Sequence, residues 1–322
     1  MDTRNIVPAE AIAAAQPVYR IMHHIDTHLH EKLTLDELSA MASYSPYHFH
    51  RLFKSVAGIT LGDYIMERRM CLVRRYLDHY PLLTMTEVAD RAGFRSPSDF
   101  SRAFKVRFGE TPTAYKARVL GDRKICIADR KFYERYFSTI YYNRRQENGR
   151  SDIEPVRTLK VTIKQLPQYR VLFLPLLGSG TEDMLHEKLT RAFRHVAAQA
   201  AGRHRRPFQT LMIGSSHELL PMPQGVFRYR LDVCAAVADN FEADDAELPT
   251  ADLAGGLYAM IRLSTRLEEM LAVLDAFYRE WLPVSGYALG EGACLAIYGS
   301  AAAFQHGYPE HADYCIPIEE RR

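Results

Sequence analysis

No apolar run in these 322 residues approaches the ~20 that a bilayer crossing requires, so no membrane span is expected. The opening decapeptide, MDTRNIVPAE, is polar and acidic and has no apolar stretch of the kind that marks a secretory leader. Cysteine is sparse. Cys71, Cys126, Cys234, Cys294 and Cys315 are odd in number, widely scattered and never spaced C-x-x-C. That pattern argues against a disulfide framework or a zinc site and favours reduced thiols in a cytoplasm. There is one tryptophan, Trp281, and no low-complexity tract. G-x-S-x-G, H-E-x-x-H, a P-loop and a Ser-His-Asp order are all missing, so no catalytic residues and no cofactor are expected.

What is present suits two or three packed domains: 47% of the chain is hydrophobic and 25% charged. Charge is unevenly divided. Residues 1–150 hold 24 Lys/Arg against 17 Asp/Glu, whereas 151–322 hold 17 against 22. The basic front half suits a polyanion and the acidic back half does not.

The front half also repeats itself. Ser45-Pro46-x-x-Phe49-x-Arg51-x-Phe53-Lys54-x-x-x-Gly58-x-Thr60-x-x-x-Tyr64 recurs without a gap as Ser96-Pro97-x-x-Phe100-x-Arg102-x-Phe104-Lys105-x-x-x-Gly109-x-Thr111-x-x-x-Tyr115. Serine followed by proline is an N-cap and a preorganised first helical position, so a helix is expected to begin at each pair. Phe49/Phe53 and Phe100/Phe104, four apart, form the stripe each helix buries. The opposite faces carry Tyr47, His50, Arg51 and Lys54 in one copy and Ser98, Ser101, Arg102 and Lys105 in the other. Cations of this kind hold phosphate or guanine, and short polar groups reach base edges. Upstream, Thr34-x-x-Glu37 and Thr84-x-x-Glu87 are capping boxes that open a shorter helix. Ser43-Tyr44 and Gly93-Phe94-Arg95 supply the turns between the helices. Each copy therefore reads as a helix-turn-helix unit.

Residues 18–118 resemble the DNA-binding domain of AraC/XylS transcription regulators. The likeness rests on Ala89, Gly93-Phe94, Phe100-Ser101-Arg102-x-Phe104-Lys105, Phe108-Gly109 and Thr111-Pro112-x-x-Tyr115. It implies two readers joined by a long helix, opened here by Thr60 to Asp63 and running to about His79. By residue match it assigns base contact to Tyr47, His50 and Arg51, then to Ser98, Ser101 and Arg102. Asp99 departs from the pattern, because a carboxylate on a reading helix repels phosphate unless it accepts a bond from a cytosine amino group.

Past a polar linker at 146–155 the pattern changes. Strands are expected at 161–166, 170–177, 210–215 and 227–237, with a helix at 182–201. A similar order follows: strand 256–263, helix 266–281, strands 293–298 and 311–317. The predicted fold is an all-α tandem helix-turn-helix domain (1–120), a basic-aromatic connector (121–157), and an α+β domain (158–322). The last would consist of two pseudo-symmetric strand-helix-strand-strand halves with a groove between them. Residues 158–320 are similar to the gyrase-inhibitor-like effector-binding domain, through Phe227-Arg228-Tyr229-x-x-Asp232-Val233-Cys234, Leu253-Ala254-Gly255-Gly256-x-Tyr258-Ala259 and Trp281-Leu282-Pro283-x-Ser285-Gly286-Tyr287. That likeness implies a groove whose aromatic side chains stack on apolar, often cationic compounds. It also implies a glutamate two residues before a late tyrosine. The tyrosine would be Tyr298, and position 296 is alanine, which leaves Glu291 as a substitute acid. Tyr258, Trp281, Glu291 and Tyr298 are the candidate ligand residues, although Trp281 fits a core role equally well.

His24 and His28, four apart with His23 and His30 nearby, have metal-ligand spacing but no carboxylate or cysteine partner, so no metal is expected. The expected function is one-component regulation, with promoter DNA and an aromatic or apolar effector as partners and RNA polymerase as a further candidate. Two alternatives stand beside it: a back domain that binds a protein partner, and one that retains hydrolase activity on small electrophiles.

Overall fold

Side chains placed to cap them open several helices of the front half, and left-handed glycines close the helices at 46–57 and 97–108. The computed structural model describes residues 9–79, 83–121, 159–201, 210–222, 226–238, 241, 248–290 and 292–321. The chain divides into two units, Met1–Cys126 and Ile127–Arg322. The linker expected at 146–155 and the aromatic-basic stretch at 122–145 lie outside the described residues.

The first unit is helical: α1 (Ala9–Thr27), α2 (Leu35–Met41), α3 (Pro46–Ala57), α4 (Leu61–His79), α5 (Met85–Arg91), α6 (Pro97–Phe108) and α7 (Pro112–Gly121). Thr34 and Thr84 close reciprocal capping boxes with Glu37 and Glu87. These hydrogen bonds hold both glutamate carboxyls below their usual range. Ser45 and Ser96 cap α3 and α6, which end on Gly58 (φ 75°) and Gly109 (φ 78°). Phe49 and Phe53 are fully buried, and Phe53 meets Tyr64 edge-on at 5.5 Å. Phe100 and Phe104 repeat this arrangement, with Tyr115 at 5.4 Å from Phe104. A buried polar link ties α1 to α4. The Asp26 carboxylate accepts from Arg68 Nε at 2.6 Å and from the Tyr64 hydroxyl at 3.1 Å.

The two turns are built alike. Ser43 N and Tyr44 N donate to the Ala40 and Ser39 carbonyls, as Gly93 N and Phe94 N do to those of Asp90 and Ala89. Ser43 adopts φ 62°, the one positive-φ residue other than glycine among the described residues, and Gly93 adopts 75°. A side chain is strained there. Ser43→Gly is therefore expected to leave stability unchanged or raise it by up to ~1 kcal/mol, whereas Gly93→Ser should lower it by more than ~1 kcal/mol. Denaturant unfolding of the two variants checks this; shifts of the same sign and size would contradict it.

In the second unit all pairings are antiparallel and the strand order is β1-β6-β9-β8-β3-β4-β2-β5, with β7 paired to β9. The strands are β1 (Thr162–Leu166), β2 (Tyr169–Gly180), β3 (Leu211–Met222), β4 (Val226–Ala236), β5 (Thr250–Leu253), β6 (Gly256–Ser264), β7 (Tyr287–Leu289), β8 (Cys294–Ser300) and β9 (His311–Glu320). Helix α8 (Glu182–Ala201) follows β2, and α9 (Leu267–Ala276) follows β6. The sheet is curled, so that residues of its two edge strands face one interior. Leu166 of β1 and Leu253 of β5 share one interior with Phe173, Ile213, Cys234, Leu295 and Cys315. A Cβ on Gly255 would lie 2.6 Å from the Gln168 amide, so the β1–β2 and β5–β6 turns touch.

Three features depart from the expected elements. The helix expected over 266–281 is α-helical only to Ala276; Phe277–Trp281 is a π turn and Leu282–Val284 a 3-10 turn. The wider turn brings Phe277 and Trp281 into a stack at 5.0 Å. Strands β5 and β7 were not foreseen, because four and three residues are too few to show an alternating pattern.

Candidate nucleic-acid interface and effector groove

Helix α3 presents Tyr47 (71% exposed), Arg51 and Lys54 to solvent, with His50 half-buried beside them. The Arg51 guanidinium lies over the Tyr47 ring, 5.8 Å from its centroid. An arginine fork held against a planar ring is stiffened before it meets a base, which lowers the entropic cost of docking. An exposed pair that the sequence reading missed adjoins this face: Tyr44 and His48 stack at 6.1 Å, 9° from parallel. Their i, i+4 spacing was the available signal, obscured because Tyr44 belongs to the turn.

On α6, Ser98, Arg102 and Lys105 are exposed and Ser101 is half-buried. Asp99, suspect in sequence as a phosphate-repelling group, is part of the helix cap. Its amide donates to Ser96 Oγ at 3.1 Å and its carboxylate accepts from that hydroxyl at 2.9 Å. It also takes Arg102 Nη2 at 3.3 Å. An exposed pair of this sort is worth at most ~1 kcal/mol, so Arg102 can exchange Asp99 for phosphate at little cost. The two faces therefore differ: α3 offers an arginine on an aromatic ring, α6 an arginine tethered by a carboxylate.

His24 and His28 of α1 stack face to face at 4.1 Å. The Nδ1 of His28 is engaged by Thr27 Oγ1 and the His24 carbonyl, each at 2.9 Å.

In the second unit, β3 and β8 meet at the middle of the strand order. A Cβ placed on Gly214 would sit 3.3 Å from the Tyr298 ring and 3.7 Å from the Ala296 Cβ, so small residues make room for Tyr298 here. The register slips beside Tyr298, between Met212/Gly299 and Ile213/Ile297, an irregularity of the kind that re-aims a side chain. The Tyr298 ring packs edge-on against Phe193 of α8 at 5.0 Å and Phe304 at 5.3 Å. Its hydroxyl lies 2.5 Å from that of Tyr308, which stacks on His186 of α8 at 4.5 Å. Burial pushes the Tyr298 phenol up to about 12 and those of Tyr308 and Tyr314 well above their ordinary value. All three are protonated donors at neutral pH. Burial also holds the His186 imidazole below its usual range, against the opposing pull of Glu182.

The other candidate ligand residues fall elsewhere. Trp281 is half-buried between Phe277 and Tyr287, the latter at 6.2 Å and 7° from parallel. Tyr258 does not share a wall with Tyr298. It is 4% exposed in the sheet interior beside Cys234 and Leu295, with its hydroxyl on the Ala254 carbonyl at 3.1 Å. The alternation of side chains along β6 and β8 puts the two tyrosines on opposite faces, which sequence alternation alone could not resolve. Glu291 lies outside the described residues.

Comparison with known proteins matches both units. A helix-turn-helix domain family covers residues 38–118, and the GyrI-like small molecule binding domain family covers 159–319. The chain is 35% identical over 96 residues to the probable transcriptional regulator LumQ of Photobacterium leiognathi, across 30% of this chain and 38% of LumQ. It is 34% identical over 97 residues to the regulatory protein SoxS of Escherichia coli K12, across 30% of this chain and 88% of SoxS. It therefore spans well under half of the first of these relatives and most of the second. Among solved structures, the DNA-binding domain of AdpA in complex with a target DNA is 30% identical, covering 34% of this chain and 97% of that one at a TM-score of 0.33.

Proposed function

Since the chain belongs to the AraC family of DNA-binding transcriptional regulators and its second unit to the GyrI-like small molecule binding domains, we infer that α3 and α6 read two successive major-groove segments of promoter DNA while the second unit takes up a small-molecule effector. The outer face of α3 carries the DNA half of this reading: an exposed arginine on an exposed tyrosine, flanked by an exposed lysine. One chain with two readers recognises an asymmetric site without a second copy. Arg51 has the geometry for guanine, while Lys54 and Lys105 have that of phosphate contacts. Lys54→Ala or Lys105→Ala should weaken all duplexes alike and flatten the slope of log affinity against log salt by ~1. Titrations at several salt concentrations check this; a loss confined to one sequence would contradict the phosphate role.

The effector half rests on the helix-bearing face where β3 meets β8. Strand order supports two repeats related by an axis between these strands: β1 and β5 lie at opposite edges, β6 and β2 next to them, and β9 and β4 inside those. Gly214 and Ala296 make room for the Tyr298 ring, and Tyr298 and Tyr308 form the half-exposed side of an aromatic cluster built on the buried Phe193 and Phe304. With no acid at 296 and protonated phenols around it, the site favours a neutral aromatic compound over a permanent cation. The experiment is a calorimetric titration of the full chain and of Tyr298→Ala with matched neutral and cationic aromatics, followed by DNA affinity with and without the binder. The neutral series should bind the wild-type chain more tightly than the variant and change its DNA affinity. Tighter binding by the cations would contradict the neutral preference, and unchanged DNA affinity would contradict the regulatory coupling.

A further inference from the structure

The two copies of the repeat differ where their turns adopt the same left-handed conformation: Ser43 in the first, Gly93 in the second. Backbone geometry alone does not explain the difference, since a serine tolerates that conformation in this same protein. Close approach does. A Cβ on Gly93 would lie 2.1 Å from the Leu29 carbonyl oxygen and 2.9 Å from Arg69 Nη2. Leu29 follows α1 in the first helix-turn-helix half, Gly93 is in the turn of the second, and Arg69 lies in the middle of α4, the helix that joins them. Arg69 Nε donates to the Leu29 carbonyl at 3.1 Å and Nη2 to the Glu31 carbonyl at 2.7 Å. Its guanidinium is thus filled by two main-chain acceptors on one side and lies against the Gly93 turn on the other.

We propose that Arg69, Gly93 and the 29–31 main chain form a clasp that sets the spacing and relative rotation of the two reading helices, with Arg69 as its positioning residue. This rests on the reading above that both α3 and α6 contact DNA. Helix α4 by itself sets the distance between the halves but leaves a twist or bend about its length. The clasp removes that freedom, because the turn leading into α6 seats on the chain leaving α1. Arginine is required by the geometry: a planar fork reaches two carbonyls at once, and a lysine ammonium does not hold both in one plane. Inserting one base pair between two major-groove segments moves the second by ~3.4 Å and rotates it by about a tenth of a turn. Only a reader of fixed geometry penalises that strongly.

The test uses the full chain and a duplex selected by it from random DNA, together with the same duplex lengthened by one base pair between its two contacted segments. The wild-type chain should prefer the original spacing by about 50-fold or more. Arg69→Ala should bring that ratio below about tenfold, Arg69→Lys should leave it intermediate, and Gly93→Ala should reduce it as Arg69→Ala does. Ser43→Gly should leave it at the wild-type value. A variant that is merely less stable weakens both duplexes by the same factor, so the ratio separates positioning from folding. Arg69→Ala with a wild-type ratio would overturn the clasp while leaving the two readers standing. A wild-type chain indifferent to spacing would overturn the two-reader reading and the clasp with it.

Discussion

Asp26→Ala should destabilise the first unit by ~3–5 kcal/mol, the cost of leaving one member of a buried ion pair without its partner. Asp26 is 1% exposed and Arg68 7%, and their contact is 2.6 Å. Removing the carboxylate takes away the 2.6 Å contact of Arg68 Nε and the 3.1 Å contact of the Tyr64 hydroxyl and opens a hole between α1 and α4. Because part of this loss comes from a buried guanidinium deprived of its carboxylate, replacing both partners by apolar residues should recover some of it. Asp26→Leu combined with Arg68→Met is therefore expected to be more stable than Asp26→Ala alone. Hydrogen exchange of the α1 and α4 amides measures this unit directly, which the single tryptophan, Trp281 of the other unit, does not. A double variant as unstable as the single one would mean that packing, not charge, governs the site.

Arg51→Ala should cost ~1–3 kcal/mol of affinity for the preferred duplex, a factor of roughly 5 to 150, and erase the preference at the base it contacts. The reason is specific to this helix. Arg51 is exposed, has no carboxylate tether among the described residues of the kind that holds Arg102 to Asp99, and is steadied by Tyr47. Arg102→Ala should accordingly cost less, since its fork must leave Asp99 before it can bind. Affinities for the preferred duplex and for single-base variants, measured at one salt concentration, separate loss of selectivity from loss of charge. Equal weakening of every duplex by Arg51→Ala would mean that it contacts only phosphate.

Much of the first unit was legible because its signals are local. Ser-Pro at a helix start, Thr-x-x-Glu boxes and phenylalanines four apart each specify structure within one or two turns, and each is found as expected. The capping role of Asp99 has a related local signal, since Ser96 and Asp99 stand three apart and bond to each other at the helix start. The Asp26–Arg68 link and the Arg69 clasp were invisible, since they join residues about 40 positions apart whose pairing depends on how α1 folds back on α4. In the second unit, strand positions could be read but faces could not. Tyr258 and Tyr298 both lie in alternating runs, and only the register across β6, β9 and β8, with its slip at Tyr298, sends them to opposite sides. The π turn at Phe277–Trp281 likewise leaves no mark in an apolar period that suits an α-helix.

Methylation interference on a duplex selected by the full chain distinguishes two readers from one, because N7 methylation blocks guanine contacts in the major groove. Two clusters of interfering guanines are expected, one helical turn apart (~34 Å) on one face of the duplex. Arg51→Ala should abolish interference in one cluster and leave the other. A single cluster, or interference that Arg51→Ala does not change, would contradict an account in which α3 and α6 read successive segments.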